Sequence, residues 1–276
     1  SIKPRNGDFV PNLIKQNIKR DLKRYSVAGI VPEILDLKYL FIETNSKVYY
    51  NTNLAPSASF VSTKVQRDLT AYAESSELNK YGARFKYSRF LKVIDSSHES
   101  VTSNITTVEM RRDLRLAISE VAEYAIDFGN EFHVQSMSGY NIRSSAFRVL
   151  NINTDVYLYD TPDSTGEKGQ ISLFSLDEGS STPVIQRRNI GVIDYKKGRI
   201  TLDPINIVSG KTKDNVDILE ISATPESNDI IGLQDLYLQL DSSFVDMVVD
   251  EISSGADPSG STYTVTTSYK NGNIIR

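Results

Sequence analysis

The second half of the sequence, from about residue 116 onward, consists of short β-branched and aromatic segments separated by turn sequences. The segments with strand character are residues 156–159, 171–176, 184–188, 190–195, 199–202 and 216–223. Residues 116–125 fit either a strand or a helix, and the Gly129-Asn130 turn that follows favours the strand. Short strands at such close spacing are typical of β-rich domains. We therefore predict a β-rich domain of short antiparallel strands over residues 116–276.

Three turns in this half can be assigned from their residues. The sequence PDSTG at residues 162–166 joins one pair of strands, and KKG at residues 196–198 closes a tight hairpin. Such a turn needs a positive φ, which glycine adopts without a steric penalty, so we expect a positive φ at Gly198. Gly198→Val should therefore cost about 1–3 kcal/mol, and Gly198→Ala less. A last hairpin is predicted over residues 263–276, with its turn at Asn271-Gly272.

Helical and extended segments alternate in the first half. Apolar residues at helical spacing predict a helix from Pro11 to Tyr25, with Pro11 at its first position. A second helix is predicted over residues 60–75, with Val61, Val65, Leu69 and Tyr72 on one face. A third begins at the capping residue Ser88 and runs through Ile94. The extended segments are residues 32–43, 47–51 and 101–112, and Asn45-Ser46 between the first two predicts a hairpin.

This order of elements predicts an α+β fold class in two domains. An N-terminal helix and a ββααβ unit occupy residues 1–115, and the β-rich domain occupies residues 116–276. A chain of 276 residues is long enough for two domains with separate cores. The polar, turn-rich opening at residues 1–8 predicts that the chain is part of a longer polypeptide.

Residues with metal-binding chemistry are few. The sequence has no cysteine, which excludes disulfides, thiolate zinc sites and cysteine nucleophiles. Its two histidines, His98 and His133, lack the spacing of a zinc motif. The most glycine-rich segment, residues 254–260, lacks the lysine and the strand-to-helix context of a phosphate-binding loop, so we interpret it as an ordinary loop. We predict no metal and no cofactor.

Two pairs of acidic residues were weighed as catalytic groups. The pairs Asp160 with Asp163 and Asp246 with Asp250 could serve a glycosidase only if their carboxylates faced each other across a cleft. A chain with 35 acidic residues produces such pairs by chance. We therefore predict no catalytic residue and a protein that is not an enzyme.

The predicted first helix is basic on one side and apolar on the other. This face is either an ordinary solvated surface or a docking site for an acidic partner. The formal net charge of −4 argues against nucleic acid, which requires a basic surface. No apolar run reaches the roughly 18–20 residues of a membrane span, so no membrane partner is predicted. The cations of this helix are Lys15, Lys19, Arg20, Lys23 and Arg24.

Tyrosine is the main aromatic residue, with 15 copies and no tryptophan beside it. Tyrosines on predicted strands either fill a core or present an interface. A sugar-binding platform usually includes tryptophan, so its absence weakens a lectin interpretation. The tyrosines on predicted strands are Tyr39, Tyr49, Tyr50, Tyr157 and Tyr159.

Five unbroken runs carry a resemblance to a known family. They are DFVPNLIKQNIK at residues 8–19, SELNKYGARFKYS at 76–88, SNITTVEMRR at 103–112, GVIDYKKGRI at 191–200 and SNDIIGL at 227–233. These runs resemble the baseplate J-like proteins of contractile-tailed bacteriophages, in particular the inner-ring baseplate wedge proteins of T-even-type phages. The resemblance covers nearly the whole chain and implies a C-terminal fragment. Residues 1–115 would be the α/β baseplate J-like domain and residues 116–276 an assembly domain.

The resemblance implies a structural role with no catalytic residues. It implies a homodimer that links neighbouring wedges into a ring around the tail hub, contacts other baseplate wedge proteins and changes shape when the sheath contracts. Such a protein is assembled in the host cytoplasm and located in the tail baseplate of the virion. The resemblance does not assign the interface residues. The main alternative is a tail-associated module that binds host-surface carbohydrate, which needs an exposed aromatic groove. A third is a cell-wall-degrading enzyme, which needs a clustered pair of carboxylates.

Overall fold

A computed structural model describes residues 10–27, 30–34, 37–134, 141–177, 182–233, 236–251, 253, 269–270 and 273–274. The helices are α1 Asn12–Lys23, α2 Ala58–Ala73 and α3 Tyr87–Asp95. The strands before residue 150 are β1 Lys38–Tyr50, β2 Arg84–Phe85, β3 Val101–Arg115, β4 Val121–Asp127, β5 Arg143–Ser144 and β6 Arg148–Val149. The later strands are β7 Tyr157–Pro162, β8 Lys168–Leu176, β9 Pro183–Asp194, β10 Arg199–Ser209, β11 Lys211–Lys213, β12 Val216–Ala223, β13 Ile230–Ile231, β14 Leu236–Val249, β15 Tyr269–Lys270 and β16 Asn273–Ile274.

The strands form two larger sheets and two small ones. One larger sheet has the order β11-β12-β3-β1-β14, with β5 also paired to β12. The other has the order β4-β10-β9-β8-β7, all antiparallel, with β6 also paired to β10. Strands β2 and β13 form a small antiparallel pair, and so do β15 and β16. The fold therefore combines a few helices with a large β-rich part, which agrees with the predicted α+β class.

The chain divides into two compact units, and neither is continuous in sequence. The first contains residues 1–44, 73–87 and 108–241, and the second contains residues 45–72, 88–107 and 242–276. Strands β1, β3 and β14 contribute residues to both units. Within the first unit, β3 pairs with β12 from Arg115↔Ile218 to Met110↔Ala223. This pairing joins residues on both sides of position 115, and a domain boundary at that position stays a prediction.

The predicted hairpin at Asn45-Ser46 is wrong, because β1 is one continuous strand of 13 residues. Asn45 and Lys47 face solvent while Ser46 and Val48 are buried, which is the period-two pattern of a strand. The Ser46 hydroxyl lies 2.9 Å from that of Thr106, so the buried polar group is hydrogen-bonded. The unit predicted as ββααβ is therefore βαβαβ, with the two-residue strand β2 between α2 and α3.

Helix α2 matches its predicted apolar face. Val61, Val65, Leu69 and Tyr72 are its buried residues. It begins two residues earlier than expected because the Ser57 hydroxyl accepts a hydrogen bond from the amide of Phe60, at 3.2 Å. Helix α1 also matches, although Pro11 precedes the first helical residue instead of occupying it.

Helix α3 is capped from a distant part of the chain. Ser88 lies inside the helix and is not its cap, so that prediction is wrong. The amide of the first helical residue, Tyr87, donates to the Asp229 carboxylate at 2.7 Å. A carboxylate at a helix N-terminus satisfies a free amide and interacts favourably with the helix dipole.

The β-rich half contains longer strands than predicted. Residues 184–188 and 190–194 belong to the single strand β9, which ends one residue before the predicted end at Tyr195, and residues 199–202 begin the 11-residue strand β10. The two predicted turns are confirmed, with φ of +71° at Gly166 and +64° at Gly198. Strands β15 and β16 pair antiparallel on either side of the predicted turn at residues 271–272, which itself lies outside the described residues. In the described part of the chain, no helix is long and apolar enough to cross a membrane.

A bidentate ion pair joins β4 and β10 and makes stability depend on pH. Arg199 donates to both carboxylate oxygens of Asp127, at 2.5 and 2.8 Å, and the two residues are directly opposite in the sheet. These hydrogen bonds hold the pKa of Asp127 below its usual value. A carboxylate whose pKa is lower in the folded state than in the unfolded state stabilises the fold at pH values above the unfolded pKa of about 3.9. That stabilisation is lost as the pH falls through the folded-state pKa.

We expect Asp127→Asn to cost about 0.5 kcal/mol at pH 7, because both side chains are about half exposed and solvent screens the pair. The difference from the parent protein should shrink as the pH falls below about 4. Urea unfolding at a series of pH values measures this. The same substitution in an Arg199→Ala background should have a much smaller pH-dependent effect, since only the weaker attraction of Arg112 and Lys38 remains, and an undiminished effect there would contradict the assignment to this pair.

Candidate functional site

Neither histidine lies in a cluster with catalytic geometry. His98 is held in a turn, where Nδ1 lies 2.8 Å from the Ser100 hydroxyl and 3.1 Å from the Ser100 amide. Its ring also packs edge-on against Phe60, at 5.6 Å between centroids. His133 lies at the surface with Nδ1 2.7 Å from a Glu226 carboxylate oxygen. Both histidines have local partners that account for their positions.

The pair Asp160 and Asp163 is used to hold the fold. Asp160 is buried and accepts hydrogen bonds from the Ile142 amide at 2.8 Å and the Tyr195 hydroxyl at 2.6 Å. Burial and this hydrogen bond raise the pKa of Tyr195. Asp163 is exposed and closes the β7–β8 turn by accepting from Thr165 and Gly166, and its pKa is lowered chiefly by the Thr165 hydroxyl. The two carboxylates therefore do not face each other across a cleft.

The second acidic pair is also divided between two roles. Asp250 accepts hydrogen bonds from the Thr102 hydroxyl at 2.7 Å and from the Ser253 amide at 3.1 Å. Asp246 is exposed on β14. No group of three or more metal-ligating side chains occurs within the described residues. The predicted loop at residues 254–260 lies outside them.

Most of the tyrosines predicted on strands fill the interior. Tyr39, Tyr50 and Tyr159 are at most 7% exposed. Tyr39 packs edge-on against Tyr237 at 6.0 Å between ring centroids. Tyr49 and Tyr157 are half-buried. These residues therefore act mainly as core, and an exposed row of tyrosines of the kind that binds sugar is not formed by this set.

Helix α1 presents an apolar stripe to solvent. Ile14, Leu22 and Tyr25 are exposed by 48%, 46% and 88%. Ile14 and Leu22 lie within one sector of the helix together with the half-buried Ile18, because residues four apart share a face, and Tyr25 follows two residues after the helix ends at Lys23. The cations Lys19 and Lys23 lie on the other side. An amphipathic helix normally buries its apolar stripe, so this surface is a candidate for contact with another protein.

A second candidate surface lies on strands β7, β8 and β9. An open cavity of about 470 Å³ is lined by Tyr159, Phe174, Leu176, Pro183, Ile185 and Arg188, among others. Phe174 stacks at 5.4 Å from Tyr157 and 5.8 Å from Tyr159, which forms an apolar floor. The sequence identified these strands but not the cavity, because residues from three strands form it only when their register is known.

A second cavity, of about 410 Å³, contains charges of both signs. Arg84 and Lys86 contribute cations, and Glu131, Glu226 and Asp229 contribute carboxylates. Two of these carboxylates already have structural partners, since Glu226 bonds His133 and Asp229 caps α3. Two of the five charged groups in this cavity are therefore already bonded within the protein.

The first part of the chain is similar to known domains of one class of protein. Residues 1–35 match a family described as baseplate structural protein gp6, C-terminal domain I, and residues 38–113 match its C-terminal domain III. These matches support a fragment of a structural protein of the phage tail baseplate, a component of the virion.

The chain is also similar to the baseplate wedge protein gp6 of Enterobacteria phage T4. The two sequences are 28% identical over 163 residues, which is 57% of this chain. The aligned part is 24% of the length of the T4 protein, so the chain spans only a fraction of that relative. The resemblance to baseplate wedge proteins is therefore supported, whereas the wider baseplate J-like name stays a prediction.

Proposed function

We propose that this chain is the assembly part of a baseplate wedge subunit. It forms a homodimer, links neighbouring wedges into a ring around the tail hub, and contacts other baseplate proteins. The ring changes shape when the tail sheath contracts. The similarity of residues 1–35 and 38–113 to baseplate structural domains supports this proposal most strongly.

The exposed stripe on α1 supplies a surface suited to self-association. Burying apolar area of this kind in a dimer is favourable by about 25 cal/mol per Å². The cations on the other side of α1 would stay in solvent or face acidic partners. We therefore propose that Ile14, Ile18, Leu22 and Tyr25 contribute to the contact between copies.

Sedimentation of the chain at micromolar concentration should show a dimer or a larger species. The double variant Ile14→Glu with Leu22→Glu should raise the dissociation constant at least tenfold, because truncating or charging a central contact costs about 1–2 kcal/mol or more. Its melting temperature, measured at a concentration where the parent is monomeric, should be unchanged because both side chains are exposed.

The matched control is Gln16→Glu, which adds a carboxylate to the exposed opposite side of the same helix. This variant should associate like the parent. A double variant on the apolar stripe that sediments like the parent would show that α1 is not the contact. A chain that is monomeric at all accessible concentrations would contradict the self-association itself.

A further inference from the structure

Strand β9 has an edge that the sheet leaves open. Along Pro183 to Arg187 it pairs with Leu176 to Leu173 of β8. On its other side, β10 pairs with β9 only from Gly191 to Asp194 and then continues along β4 and β6. Within the described part of the chain, no strand covers the second edge of residues 183–189, although the Asn189 amide donates to the Ser172 hydroxyl at 3.2 Å. Unpaired amides and carbonyls on a strand edge are a template for another strand.

This open edge carries apolar side chains on both faces. Val184 and Ile185 are 45% and 43% exposed, and as adjacent strand residues they point to opposite faces. All of residues 183–189 are exposed. Natural proteins usually protect an open edge with proline, charged residues or bulges, and this edge begins with Pro183 and carries Arg187 and Arg188. Such an edge resists unselective pairing, whereas its apolar residues still allow a strand whose charges match the arginines.

The apolar cavity lies directly beside the open edge. Ile185 and Pro183 of β9 line it together with Phe174 and Leu176 of β8. An added strand directs alternate side chains to this face, so one of them would enter the cavity. Main-chain hydrogen bonds with a pocket for alternate side chains are the two parts of peptide recognition by strand addition.

The charge at this edge specifies the partner. Arg187 and Arg188 are adjacent and exposed, and neither forms an ion pair with another described residue. The chain as a whole has a net charge of −4, so these arginines form a local basic region on an acidic protein. A carboxylate is the natural partner of an arginine guanidinium, because it matches the planar donor geometry.

We propose that the open edge of β9 binds an extended acidic segment of a partner protein. The segment adds a strand beside residues 183–189, places one apolar side chain in the cavity at Ile185 and sets carboxylates against Arg187 and Arg188. This inference deepens the proposed assembly function and rests on it, since it specifies the chemistry of a second contact of the same subunit.

The binding can be measured by fluorescence anisotropy with a labelled eight-residue peptide of valine and glutamate that places glutamate on both faces of the extended strand. The full chain should bind it saturably. Arg187→Glu with Arg188→Glu should weaken binding at least about tenfold, because both contacts become repulsive. Ile185→Glu should weaken it as well. A peptide N-methylated at every amide should not bind, since it cannot donate main-chain hydrogen bonds.

The matched control is Lys196→Glu with Lys197→Glu, the same change of charge at the exposed β9–β10 turn. This control and the Ile14→Glu, Leu22→Glu variant should bind the peptide like the parent. The Ile14→Glu, Leu22→Glu variant separates self-association through α1 from peptide binding at β9, because losing the first should leave the second intact.

Three results would overturn the inference. They are no saturable binding by the parent, equal binding by the arginine variant, and equal binding of the fully N-methylated peptide. If Ile185→Glu instead lowers the oligomeric state in sedimentation while the peptide does not bind, the edge pairs with a second copy of the chain and the acidic partner is wrong.

Discussion

Gly198→Val should destabilise the protein by at least about 3 kcal/mol. This is more than the backbone strain of a positive φ in the turn would cost by itself. Gly198 has a φ of +64°, and a β-carbon built there would lie 2.0 Å from the carbonyl oxygen of Asn130. The Gly198 carbonyl also accepts the amide of Phe128, at 2.8 Å. A side chain would therefore displace a backbone segment that packs against the turn, and urea unfolding monitored by circular dichroism should measure the loss.

The β-carbon alone makes this contact, so Gly198→Ala should carry most of the cost. The sequence had indicated a milder effect for alanine. The matched control is Gly166→Ala in the β7–β8 turn, where φ is +71° but nothing lies within 4 Å of the added carbon. That change should cost about 1–2 kcal/mol, from backbone strain only. Equal losses of unfolding free energy at the two glycines would show that the contact with Asn130 does not contribute to the destabilisation.

Arg111→Ala should destabilise the protein by about 2–3 kcal/mol, because it removes the guanidinium that three partly buried carboxylates share. Arg111 is a β3 residue whose side chain is 11% exposed. It contacts Glu43 at 2.5 Å, Asp113, and Glu220 at 3.5 Å, and its guanidinium lies 4.1 Å from the centre of the Phe41 ring. Burial by itself lowers the pKa of Arg111, but the attraction of Asp113 and Glu43 raises it overall.

The register of the sheet places two carboxylates opposite each other, and Arg111 offsets their repulsion. Asp113 of β3 and Glu220 of β12 are directly opposite, and like charges at paired positions repel. Lys213 contacts Asp113 at 3.0 Å and Lys211 contacts Glu220 at 2.8 Å. Arg111 is the cation that contacts both carboxylates, so its removal leaves each of them with one lysine.

A double-mutant cycle tests this explanation. Glu220→Gln in the Arg111→Ala background should recover part of the lost stability, whereas Glu220→Gln alone should destabilise the parent. Arg111→Lys should be intermediate, since a lysine cannot donate the planar fork of hydrogen bonds. The exposed pair of Arg148 and Asp155 is the control, and Arg148→Ala should be nearly silent. If Arg111→Ala unfolds like the parent, the cluster does not stabilise the fold.

Local sequence was sufficient for elements whose stability depends on nearby residues. The apolar spacing of Val61, Val65, Leu69 and Tyr72 identified the buried face of α2. The turn residues identified both β-hairpins, because the need for a positive φ is a property of the turn itself. The residues of α1 likewise revealed an amphipathic helix, although the sequence could not show that its apolar stripe is exposed.

Other elements depend on residues far away in the chain. Asn45 and Ser46 have turn propensity, but burial of Ser46 against Thr106 makes them part of a strand. Ser88 resembles a helix cap, yet Asp229 supplies the carboxylate at the start of α3. In both places tertiary contacts outweigh a weak local preference, which one chain segment cannot reveal.

The sequence by itself determined the mixed α and β composition, the apolar faces of the helices, the positive-φ turns and the resemblance to baseplate proteins. Each of these depends on residues that are neighbours in the chain. Tertiary structure alone decided the arginine cluster around Arg111, the backbone contact at Gly198 and the open edge of β9 beside its cavity. Those features arise where strands distant in sequence meet, and their geometry depends on the register of the sheets.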